Sequence, residues 1–112
     1  MFSTVAAKKG FTNHSIISPA KAGVEGLTVS LAAELAPKIR VNCIAPSLTK
    51  SKMSQILLKN TKSEESIAKL HPLKRIGKGT DAASVAKFLL SNDSSWITGQ
   101  IIGVDGGRSN VG

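Results

Sequence analysis

PAKAGVEGLTVSLAAELAPKIRVNCIAP, residues 19–46, decides the fold. Its first part carries Val24, Leu27, Leu31 and Leu35 at helical spacing, which predicts a helix over 19–36. Pro19 suits a first helical turn, where no amide donor is needed, and Pro37 stops the helix after Ala36. Small residues at Ala20, Gly23, Gly26 and Ala33 let another helix or a sheet come close. The second part turns apolar at once. Ile39, Val41, Cys43 and Ile44 form a short run ended by Pro46, the pattern of a strand buried in a parallel sheet.

Upstream, Met1 to Val5 reads as the end of a strand, with a polar loop through Lys8, Lys9, Gly10 and Asn13 behind it. Downstream, residues 47–79 are polar and lysine-rich. Met53, Ile56, Leu57 and Leu58 mark a short helix there, and Ser63 to Leu70 a second, with Glu64 and Glu65 well placed against its N-terminal dipole. Thr80 is the expected cap of a further helix through Ala82, Val85, Ala86, Leu89 and Leu90. A last strand runs from Gln100 to Val104 into a glycine turn at Asp105, Gly106 and Gly107. Strand, helix, strand, helix, strand implies crossovers and a parallel sheet. Three parallel strands leave two open edges, of which Met1 to Val5 is the one that needs a neighbour. The chain therefore reads as half of a doubly wound α/β domain.

Composition narrows the function classes. Forty-one per cent of the residues are hydrophobic and 20% charged, an ordinary globular balance. Nothing approaches the ~20 apolar residues of a membrane span, and no signal segment opens the chain. The single cysteine, Cys43, excludes a disulfide and a cysteine-based metal site. A cytoplasmic protein is the expectation. The formal charge of +8 invites a nucleic-acid reading. The lysines are scattered, however, and Phe2, Phe11, Phe88 and Trp96 do not interleave with them as a base-stacking platform requires. A solvated basic surface is the better account, with neither nucleic acid nor membrane as partner.

Three stretches in register carry a family likeness. KAGVEGLTVSLAAELAPKIRVNCIAPSLT (21–49), HPLKRIGKGTD (71–81) and SSWITGQIIGVDGG (94–107) resemble the C-terminal half of a short-chain dehydrogenase/reductase. The resemblance implies a Rossmann-type sheet and NAD- or NADP-dependent interconversion of a carbonyl and an alcohol. In that family a tyrosine exchanges a proton with the substrate oxygen. A lysine four residues on, along the same helix face, binds the nicotinamide ribose and lowers the tyrosine pKa. A serine hydrogen-bonds the substrate oxygen.

Carried over residue by residue, Lys21 matches the lysine. Thr4, with Ser3 beside it, stands where the family has its serine. The tyrosine position holds Ile17, which can donate no proton, and the chain contains no tyrosine at all. His14 and Ser15 are the nearest polar replacements, a surface loop being the alternative role for His14. Pro46, Ser47, Leu48 and Thr49 match the loop that meets the nicotinamide and the pyrophosphate, with Ser47 in place of the usual glycine. His71 falls in a motif that is mostly structural. The glycine-rich turn of the dinucleotide site does not occur in this sequence.

Residues 1–112 are thus expected to form a single partial Rossmann-like domain, a truncated chain without turnover of its own. The alternative is a non-catalytic assembly protein. The resemblance implies a homo-oligomer through helix 19–36, the C-terminal strand, or both.

Overall fold

The computed structural model describes residues 1–111. Helix α1 spans Ile17–Leu35 and strand β1 spans Cys43–Pro46. Helix α2 (Thr61–Lys69), helix α3 (Gly79–Leu90) and strand β2 (Ile101–Val104) follow, with 3-10 turns at Val5–Ala7, Met53–Ile56 and Asn92–Ser94. α1 starts two residues before the expected position, and Pro19 occupies its first turn.

β1 and β2 pair in parallel, Cys43 opposite Ile101 and Pro46 opposite Val104, so the chain between them must cross over. On its other side β1 meets a single parallel bridge between Phe2 and Ile44. The expected edge strand over Met1 to Val5 is therefore reduced to one bridge, and the sheet has two strands rather than three. The cause is local. The Ser3 amide donates to the Ile44 carbonyl at 2.8 Å, and then the Thr4 hydroxyl accepts from Ala6 and turns the chain into the Val5–Ala7 helix.

A second expectation also fails. Thr80 lies inside α3, and the cap is Lys78, whose amide donates to the Asp81 carboxylate at 2.7 Å. Asp81, the third residue of the helix, satisfies the Lys78 amide, while Thr80 lies past the cap.

The core is narrow and centred on β1. Cys43, Ile44 and Ala45 are buried, with Val5, Ala6, Ala32, Ile76 and Leu89 around them. Arg40 fastens β1 to α3 by donating to the carbonyls of Leu89, Ser91 and Ile97. Asn42 donates to Ile97 and accepts from the Gln100 amide, which fixes the entry of both strands. The chain exposes 7631 Å², against about 5,900 Å² expected of a compact monomer of this mass.

Candidate functional site

β1 ends at Pro46 and delivers residues 47–49 to the end of the sheet. Three backbone bonds hold them there. The Ser47 amide donates to Val104, the Gly77 amide to Leu48, and the Lys50 amide to Gly77. Gly77 is required for this clamp, since a Cβ there would lie 2.9 Å from Thr49 Oγ1.

Two clefts open on either side of the loop and share Ser47, Leu48 and His71. The larger, about 550 Å³, is lined also by Thr4, Phe11, His14, Pro46, Thr49, Leu57 and Arg108. The smaller, about 380 Å³, is lined also by Arg75, Asp81 and the turn Gly103–Gly107. That turn closes with Gly106 and Gly107 at positive φ, as the glycine pair led us to expect.

The residues singled out in the sequence are partly brought together. Thr4, His14, Pro46, Ser47, Leu48 and Thr49 all face the larger cleft. The Thr4 oxygen accepts from Ala6 at 3.4 Å, leaving its own hydrogen to donate. Thr49 Oγ1 donates to the Ser47 carbonyl at 3.0 Å. His14 Nδ1 donates to the Thr12 carbonyl, and its ring packs 5.4 Å from that of Phe11.

Ser3 goes elsewhere. It is buried under α1, where its hydroxyl donates to Glu25 Oε1 at 2.8 Å. Lys21 does not line the cleft, and its Nζ donates to the Phe2 carbonyl at 3.0 Å. Ile17 is the first residue of α1, 43% exposed, and Ser15 sits in the exposed turn before it.

Sequence reasoning missed the role of His71. Its Nδ1 lies 2.9 Å from the Ile67 carbonyl, which can only accept, so Nδ1 carries the hydrogen. Nε2 is then an acceptor, and Ser47 Oγ donates to it at 2.8 Å. The ring itself is buried. The available signal was Ser47 standing where the family has glycine, together with a histidine two residues past α2.

Arg75 and Asp81 were also missed. They form a bidentate pair at 2.7 and 2.9 Å. The Arg75 bond and the Lys78 amide hold the Asp81 carboxyl down to about 2. At Asp105, burial pushes the carboxyl up, but donors from Ser109 and Gly107 outweigh it and the net direction is down. Among the described residues no group of His, Cys, Asp or Glu side chains is arranged to hold a metal ion.

The site can be tested against a nicotinamide dinucleotide. The Leu48 and Thr49 amides donate to nothing among the described residues, and with the Thr49 hydroxyl they line an open cleft. That donor set fits the nicotinamide end of the group. The pyrophosphate end has no glycine-rich turn in this sequence to receive it.

Comparison with known proteins gives the chain's family and fold relatives. The family model described as enoyl-(acyl carrier protein) reductase matches residues 1–109. Dehydrogenase/reductase SDR family member 4 of Mus musculus is 41% identical over 107 residues, covering 92% of this chain and 38% of that protein. The chain thus spans about two fifths of the length of such relatives. A short-chain type dehydrogenase/reductase from Mycobacterium ulcerans superposes with a TM-score of 0.89 at 33% identity, over 96% of this chain and 40% of that one. A gluconate 5-dehydrogenase from Burkholderia cenocepacia, solved with NADP and tartrate, gives 0.90 at 25% identity, over 96% of this chain and 43% of that one.

Proposed function

Since this chain belongs to the short-chain dehydrogenase/reductase family, we propose that it forms the nicotinamide half of an NAD- or NADP-dependent oxidoreductase site that interconverts a carbonyl and an alcohol. The observation that carries this reading is the shared cleft. Thr4 and the loop Pro46, Ser47, Leu48 and Thr49, far apart in the chain, line it together. The bound dinucleotide supplies the hydride chemistry.

The chain's own residues bind and orient. Thr4 donates its free hydrogen to the substrate oxygen, a role that buried Ser3 cannot share. Leu48 and Thr49 present amides and a hydroxyl to the carboxamide end. Lys21 exchanges its Phe2 carbonyl for the ribose hydroxyls. Ile17 donates no proton, so the chain by itself does not turn over substrate. We assign residues 1–112 to one partial Rossmann-like domain working in the cytoplasm, a compartment that keeps the unpaired Cys43 thiol reduced.

Calorimetric titration of NADH and NADPH into the purified chain, with its solution mass measured alongside, tests the proposal. Binding that Lys21→Ala weakens by about tenfold or more supports it, this being the scale of one charge-assisted hydrogen bond. Absence of binding to either dinucleotide sinks it.

A second reading, assembly without catalysis, is favoured by the surface. Leu27 and Val29 on α1 are half exposed, as is Ile17 at its start. A second copy laid along α1 or the β2 edge covers apolar area that the chain leaves in water. A dimer that binds neither dinucleotide supports this reading over the first.

A further inference from the structure

We propose that Ser47 and His71 form a nucleophile–base pair that hydrolyses small carboxylic esters, an activity separate from dinucleotide-dependent oxidation and reduction. A serine hydroxyl is a weak nucleophile until a positioned base takes its proton. Here the base is fixed in place. His71 is 3% exposed, held through Nδ1 by the Ile67 carbonyl at the end of α2 and packed against the Gly106 turn. Those contacts leave one tautomer, with the Nε2 lone pair 2.8 Å from Ser47 Oγ. The carbonyl orients the imidazole as the third member of a hydrolytic triad does.

The surroundings supply the remaining parts. Ser47 follows the last residue of β1, and it and His71 both border the two clefts, so a ligand in either cleft meets the pair. The Leu48 amide, next in the chain and free among the described residues, is the donor position that hydrolases with a nucleophile at a strand end use for the oxyanion. The larger cleft has apolar lining from Phe11, Met53, Leu57 and Leu70. It accordingly takes an ester with a short aliphatic acyl group.

In the first step Ser47 Oγ bonds to the ester carbonyl carbon while its proton passes to His71 Nε2. The bond from that carbon to the alcohol oxygen breaks, and the leaving oxygen takes the proton from Nε2. Water then adds to the acyl carbon, giving a proton to Nε2, and Ser47 Oγ departs with it. The sum is ester plus water to acid plus alcohol.

The test uses the full chain without NAD or NADP, so that it stands apart from the dehydrogenase reading. p-Nitrophenyl butyrate hydrolysis is followed, and a fluorophosphonate probe is mapped by mass spectrometry. The expected result is one adduct on Ser47, hydrolysis reduced to buffer background in Ser47→Ala, and at least a ~100-fold slower rate in His71→Gln. An adduct on another residue, no adduct, or hydrolysis unchanged in Ser47→Ala overturns the proposal. If circular dichroism shows His71→Gln unfolded, Ser47→Ala and the adduct map decide alone.

Discussion

β1 and α1 come from the same apolar stretch and meet opposite fates. β1 has four residues and buries Cys43, Ile44 and Ala45. α1 has nineteen and buries only Thr28 and Ala32, leaving Leu27 50% and Val29 52% exposed. The strand has neighbours on both sides, β2 along one edge and Phe2 at the other. The helix rests on the Val5–Ala7 turn, residues 1–3 and Gly99, and its outer face has no neighbour among the described residues. Apolar character thus says what a segment can do. Neighbours decide whether it is buried.

The largest expected effect tests this contrast directly. Ile44→Ala should cost about 2–5 kcal/mol in urea unfolding, the range for a fully buried aliphatic truncation. Leu27→Ala should cost less than ~1 kcal/mol at dilution where the chain is monomeric. Equal losses would break the comparison and mean that α1 is buried within the monomer as firmly as β1.

A smaller effect sharpens it in α2, which buries no residue and relies on its ends. Asn60 Oδ1 accepts from the Ser63 amide at 2.9 Å. Asn60→Ala should cost about 1 kcal/mol. Amide exchange should show the loss confined to α2, while β1 protection stays unchanged.

The smallest effect concerns α3 and its Arg75–Asp81 clamp. The Asp81 carboxyl lies at about 2 in the fold against 3.8 ordinarily. A group depressed in this way stabilises above its unfolded value and ceases to do so as pH falls through its folded value. The thermal midpoint should therefore decline between about pH 4 and pH 2. Asp81→Asn should flatten that decline, and a slope equal to that of the parent chain would remove Asp81 from the account.

The fold was legible where a residue's own geometry dictates structure. The spacing of Val24, Leu27, Leu31 and Leu35, the proline at each end of α1, and the Gly106–Gly107 turn all reported local backbone choices. The first segment was less so, because whether Met1 to Val5 extends into a strand depends on what lies beside it. At the candidate site the sequence assembled Thr4 with Pro46, Ser47, Leu48 and Thr49, since order and spacing are preserved along the chain. It did not reveal His71 against Ser47. That bond joins residues 24 positions apart through a crossover, and no periodic pattern encodes it. Ser3 and Thr4 show the same limit, for adjacent hydroxyls in an extended segment point to opposite sides and only packing chooses which meets the cleft.

The burial of Cys43 has a use beyond packing. Its sulfur belongs to the single thiol in the chain and is wholly out of contact with solvent at the start of β1. A thiol reagent can therefore react only when the strand comes apart. The modification rate, compared with that of the urea-unfolded chain, becomes an internal clock for opening of the core. It reads the free energy of that event in water, with no extrapolation from denaturant, and any ligand or second copy that holds the sheet closed slows it.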